Sequence, residues 1–128
     1  MVNVSIPTAH VFEDTSPTWV ERVVGQDAAA ITQASITSIA YKVYNPDADE
    51  TEVVADGTLT VSTVVYDTLQ TSDSRWTKDT TGFNFLWAVP ATLFPTGSKR
   101  VRVDVLFTPA SGGVFAIVHD FIVVSRKG

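Results

Sequence analysis

No cysteine occurs anywhere in the 128 residues. Disulfides, thiolate nucleophiles and sulfur-ligated zinc are therefore excluded. Histidine is almost missing as well, with only His10 and His119. There is no Gly-x-Ser-x-Gly elbow, no P-loop and no Gly-x-Gly-x-x-Gly, so the commonest nucleophile and phosphate-binding motifs are lacking. No stretch approaches the roughly 20 apolar residues a membrane-spanning helix needs. The longest apolar tract, Val114 to Val124, is broken by His119 and Asp120. The opening Met1-Val2-Asn3-Val4-Ser5-Ile6-Pro7 has neither the basic region nor the long apolar core of a signal peptide.

What is present is apolar and mildly acidic. Hydrophobic residues make up 45% of the chain and the net charge is −5, a balance that supports a folded core and disfavours phosphate-backbone binding. No nucleic-acid partner and no membrane are expected. The charge is uneven. Residues 1–64 hold nine acids and two bases, and residues 65–128 five acids and seven bases. Such polarity suits contact with a charged neighbour or another copy.

From Ile36 onward the period is two. Thr37, Ile39, Tyr41 and Val43 alternate with Ser38, Ala40 and Lys42, as in a half-buried strand. Asn45-Pro46-Asp47 ends it, Thr51–Ala55 reads as a short strand, and Asp56-Gly57 reads as a turn. Thr58–Tyr66 reads as another strand, broken near Ser62-Thr63. Phe83, Phe85, Trp87 and Val89 share one face of the next, and three aromatics on one strand face mark a core. Leu93 or Phe94 is expected to plug the sandwich end. Val101, Val103, Val105 and Phe107 alternate with Arg100, Arg102 and Asp104, then Ser111-Gly112-Gly113 turns into a final strand. About seven short strands with regular turn signals fit an all-β, immunoglobulin-like antiparallel β-sandwich over residues 34–128. A closed barrel is the alternative.

Residues 1–33 look different, with Pro7, Pro17 and the small-residue tract Ala28-Ala29-Ala30. They read as an extended N-terminal arm. Trp19, with Val20, Val23 and Val24, is its candidate interface anchor, because tryptophan is enriched at binding hot spots. The Lys99-Arg100-Val101-Arg102 stretch is a second candidate surface through Arg100 and Arg102.

Chemistry is sparse. His119 lies in phase with Phe115, Ile117 and Phe121 and reads as a core or rim residue. Asp47, Asp49, Glu50, Glu52 and Asp56 form an acidic cluster. Asp47-x-Asp49 resembles the opening of a calcium loop, but the sixth position is not glycine and the twelfth is not glutamate. A solvated loop that deters strand-edge aggregation is expected there, with no metal, no cofactor and no catalytic residue. Trp19, Trp76 and Trp87 could form a sugar platform, but Trp87 is in phase with the core.

Taken in order, Tyr41-Lys42-Val43-Tyr44, Trp76, Gly82-Phe83-Asn84-Phe85, Phe94-Pro95-Thr96-Gly97, Val101-Arg102-Val103-Asp104-Val105 and Phe107-Thr108 resemble small immunoglobulin-like structural proteins of tailed bacteriophages, over roughly residues 33–124. The resemblance implies a non-enzymatic virion component assembled in the host cytoplasm. Its expected role is a capsid decoration or cement protein that contacts the major capsid protein or neighbouring copies as a homo-oligomer. The alternative is a carbohydrate- or receptor-binding module of a tail or cell surface.

Overall fold

The computed structural model describes residues 8–25, 28–45, 49–95 and 100–126, with the backbone alone at 49–52. Eight strands run through them: β1 (Thr8–Phe12), β2 (Thr18–Glu21), β3 (Ile36–Asn45), β4 (Asp49–Leu59), β5 (Val65–Gln70), β6 (Phe83–Ala88), β7 (Arg100–Pro109) and β8 (Phe115–Val124). One helical turn, Val61–Val64, and one 3-10 turn, Ala91–Leu93, interrupt them.

The strands form two sheets, ordered β1-β8-β7-β3-β4 and β2-β6-β5. Neighbours are antiparallel except β1 and β8, which run parallel from Thr8 opposite Asp120 to Phe12 opposite Val124. This is an all-β sandwich whose strand order is immunoglobulin-like: β8-β7-β3 correspond to the G, F and C places, β4 to the C′ place, and β2-β6-β5 face them as B, E and D.

Alternation explains the core. Phe85 and Trp87 of β6, followed by Val89, face Val101, Val103, Val105 and Phe107 of β7, all buried. Ile39 and Val43 join from β3, and both Leu93 and Phe94 close one end. Phe85 meets Phe107 edge-on at 5.7 Å, and Phe94 meets Phe121 at 5.0 Å, geometry that adds to the burial term. Trp76 and Tyr66 pack on Phe83 at 5.8 and 5.9 Å beside the 71–82 loop. The Trp76 indole donates to the Asp79 carbonyl. Asp79 also takes Arg22 at 2.8 Å, which ties this loop to the chain leaving β2.

Three expectations are corrected. Residues 8–33 are not an arm. β1 completes the larger sheet, β2 pairs with β6, and Trp19 and Val23 are only 4% and 2% exposed. Residues 1–7 lie outside the described residues. The burial of an indole outweighs the cost of ordering so short a strand.

Asp56-Gly57 is not a turn. It lies inside β4, where Gly57 stands opposite Tyr41 and a Cβ would sit 2.6 Å from the Tyr41 hydroxyl. The glycine makes room for a ring that packs on Trp87 at 5.0 Å. Thirdly, Asp49 to Asp56 form part of a strand rather than a loop; Asp47 lies outside the described residues.

Trp19→Ala is expected to cost about 3–5 kcal/mol, the range for a buried large aromatic. Urea unfolding checks it, with Val24→Ala, at an exposed position, as the near-neutral control. A loss under about 1 kcal/mol would place the indole outside the core after all.

Candidate functional site

Two connections meet at one end of the sandwich. The first, residues 22–35, joins β2 to β3; the second, residues 110–114, joins β7 to β8. In immunoglobulin terms these are the BC and FG connections, which cluster at a common end. Between them lies a cleft of about 570 Å³. Gly25, Ala30 and Ile31 line one wall, and Ala110, Gly112 and Phe115 the other.

The first wall is held from beneath by Asn84, a buried polar side chain on β6. Its Oδ1 accepts the Val23 N–H at 2.7 Å, and its Nδ2 donates to the Val23 carbonyl at 2.9 Å and the Ile31 carbonyl at 3.3 Å. The amide thus pairs with Val23 as a neighbouring strand would. Ile31 N–H returns to the Val23 carbonyl, and Val24 bridges Ala30. The Gly25 N–H donates to Ala29 and the Ala28 N–H to Gly25, with Ala28 in the left-handed region at φ 66°. Gln33 fastens the loop's far side through its N–H to Asp67 and its amide to the Val65 carbonyl.

The second wall is fixed to the first. Ala110 N–H donates to the Ser35 carbonyl at 2.9 Å, and Phe115 stacks on Phe107 at 5.2 Å with the rings 10° apart. The described lining carries no ionisable side chain; its side-chain polarity comes from Ser35 and Ser111. Such a surface holds an apolar knob and offers backbone groups to it. Its size falls in the range of pockets that enclose ligand-sized groups.

A second groove, about 360 Å³, lies where β2 approaches β8, with Trp19, Glu21, Lys78 and His119 on it. His119 is wedged 5.2 Å from Trp19 and stacked 4.4 Å from Phe121. Its Nδ1 donates to the Asp120 carbonyl at 2.8 Å, and burial lowers its pKa. This is the rim role its strand phase suggests. Glu21 accepts the Trp19 indole N–H at 3.1 Å. Burial raises its pKa, against the smaller pull of that bond and of Lys78.

The candidate residues from the sequence do not come together. Trp19 and Val23 are core, Val20 is half-buried on β2, and Val24 is exposed beside the loop-end cleft. Arg100 and Arg102 sit on β7, far along the chain, on the outer face of the larger sheet. Arg100 pairs with Asp120 at 3.5 Å and Arg102 with Asp104 at 2.9 Å. All three tryptophans are buried, so none offers a flat sugar platform. The cleft itself had no sequence signal beyond small residues, which read as loop. Asn84 did have one, the Gly82-Phe83-Asn84-Phe85 run.

Asn84→Ala leaves the Val23 N–H without its partner and takes one donor from each of the Val23 and Ile31 carbonyls, the former keeping the Ile31 N–H, and is expected to cost about 2 kcal/mol. Hydrogen exchange at Val23 and Ile31 is expected to quicken more than exchange in β7. Uniform quickening would mean that Asn84 serves the whole fold and not this loop.

Glu21 sets a pH dependence. Its folded pKa lies above the ordinary 4.5, so the stability it contributes is whole below that value and is lost as pH rises through the folded pKa. Glu21→Gln is therefore expected to melt above wild type at pH 7, with the gap closing on acidification. His119 slopes the opposite way in both chains, so the difference isolates Glu21. A variant that melts lower at pH 7 contradicts this assignment.

In comparisons with family models, curated proteins and solved structures, none matches this chain.

Proposed function

We propose that this chain is a non-enzymatic structural protein that binds other proteins, serving as a decoration or cement component on the capsid of a tailed bacteriophage. The observation that carries the binding part is the loop-end cleft. It is apolar, open, and built on loops that are tied down by Asn84, Gln33 and Ser35 rather than left loose. A preformed apolar cleft on a rigid sandwich binds without a large ordering cost. On a repeating lattice, modest affinity at each site is enough, because neighbouring attachments raise the effective concentration. The phage setting rests on the sequence resemblance alone.

Three polar side chains agree with a structural role. Asn84 organises a loop, Asp79 a turn, and His119 lies between two aromatic rings. Each has a geometric task within the fold.

The test has two arms. Antibodies against the chain are expected to label the capsid surface of particles of the phage that encodes it, at regular spacing. Ala30→Arg and Ser111→Arg, both at exposed positions of the cleft, are expected to abolish attachment to the particle while shifting stability by no more than about 0.5 kcal/mol. Unlabelled particles refute the virion role. Labelled particles with unimpaired attachment of both variants move the docking surface away from the cleft.

A further inference from the structure

β1 is held by one neighbour and one connection. Among the described residues it pairs with β8 alone, and it passes to the other sheet through a single short segment, residues 13–17. Its anchorage in the core is small. Val11 is buried, Ala9 packs on the core only in part, and Phe12 is 55% exposed.

The hydrogen bonds of the connection divide at one point. Glu13 belongs with β8: its N–H donates to the Val124 carbonyl at 3.0 Å, and its carboxylate accepts the Arg126 N–H at 3.4 Å. Ser16 and Pro17 belong with the end of β6: the Ser16 hydroxyl donates to the Val89 carbonyl at 2.6 Å, and the Pro17 carbonyl accepts the Val89 N–H at 2.8 Å. Asp14 and Thr15 stand between the two sets. Asp14 has a φ of 56°, the left-handed region that a residue with a Cβ enters at a cost. Its N–H donates to the Phe94 carbonyl at 2.8 Å, and the Thr15 hydroxyl turns back to the Phe12 carbonyl at 2.6 Å. Just beyond, Pro17 biases Ser16 toward extended backbone.

We propose that two copies of this chain exchange β1, each strand leaving its own β8 and taking the same place on the β8 of the other copy. The occupant is the segment already seated there, in register from Thr8 opposite Asp120 to Phe12 opposite Val124. The contacts of β1 with β8 therefore form again between copies, with Val11 in the same core position. The bonds of Glu13, and those of Ser16 and Pro17, are kept on their respective sides. Only Asp14 and Thr15 change conformation, and the backbone bond given up is the one from Asp14 to Phe94. Straightening releases the left-handed Asp14, and short hinges under strain favour exchange. Five hinge residues reach at most about 17 Å when extended, so the two copies lie with their hinges side by side. Phe12, exposed at the start of the hinge in a single copy, then has a second copy beside it. Reciprocal exchange closes on itself and stops at a dimer. This surface is separate from the loop-end cleft, and the inference does not rest on the reading given for that cleft.

The chain has no cysteine, so an engineered pair reports the exchange without interference. His10 and Ile122 stand opposite each other on β1 and β8, at a spacing that a disulfide bridges. The His10→Cys/Ile122→Cys variant is unfolded, refolded at low and at high protein concentration, separated by size exclusion, oxidised, and run on a denaturing gel without reductant. Refolding at high concentration is expected to give a dimer fraction that runs as a covalent dimer, while the monomer fraction runs as a monomer with its disulfide inside one chain. Phe12→Cys/Val124→Cys, at exposed positions that also stand opposite each other, takes its place if the first pair fails to fold or to oxidise. Two hinge substitutions move the balance in opposite directions. Asp14→Gly removes the strain of the single copy and is expected to lower the dimer yield at least about fivefold. Asp14→Val sets a β-branched residue at the same φ and is expected to raise it. Both lose the 3.9 Å pair with Arg126, which drops out of the comparison. A chain that is monomeric at every refolding concentration, a dimer fraction that falls to monomers on the denaturing gel, or hinge variants that shift the dimer the same way overturns the proposal.

Discussion

The indole of Trp19 is the contact on which the two-sheet arrangement turns. It belongs to β2 of the smaller sheet and touches Phe85 and Trp87 of β6 at 5.8 and 6.2 Å. It also reaches His119 and Phe121 of β8, in the larger sheet, at 5.2 and 6.3 Å. A four-residue edge strand has little hydrogen bonding with which to hold itself in place. One large ring shared by both sheets supplies the burial instead. Its N–H is met by Glu21 from the same strand, so the ring enters the core without stranding a donor.

That constraint orders what lies around it. With β2 seated, the chain leaving it passes over Asn84, and the loop is fixed before it turns back into β3. Arg22, just beyond β2, reaches Asp79 and the Gly82 carbonyl, which joins the 71–82 loop to the same strand. Gly82 takes a φ of 101° there, and a Cβ would collide with the Gln70 carbonyl. The candidate cleft thus inherits its shape from the core beneath it more than from its own small side chains.

Much of the sandwich was legible in the sequence because its central strands alternate cleanly. Phe83, Phe85 and Trp87 on β6, and Val101, Val103 and Val105 on β7, are buried as the period of two requires. Legibility failed where local chemistry and tertiary packing disagree. Asp56-Gly57 carries a strong turn signal, yet the ring of Tyr41 across the strand pair accounts for the glycine, and no local rule sees across strands. Trp19 failed for a related reason. Two prolines and a short alternation argue for an arm, and only the far strands β6 and β8 reveal the cavity that the ring fills. The cleft stayed invisible because its lining has no distinctive chemistry and arises from two loops far apart in sequence.

The parallel pairing of β1 with β8 bears on the order of events in folding. Thr8 lies against Asp120 and Phe12 against Val124, so the first described strand waits for the last. Contacts of such sequence separation cost loop-closure entropy before they return any stability, and they slow folding. During synthesis β1 has no sheet to join until β8 has emerged, so an early segment remains available to other chains throughout elongation. Crowded nascent chains of this protein are therefore most vulnerable to exchanging β1, which is secured only once β8 is in place.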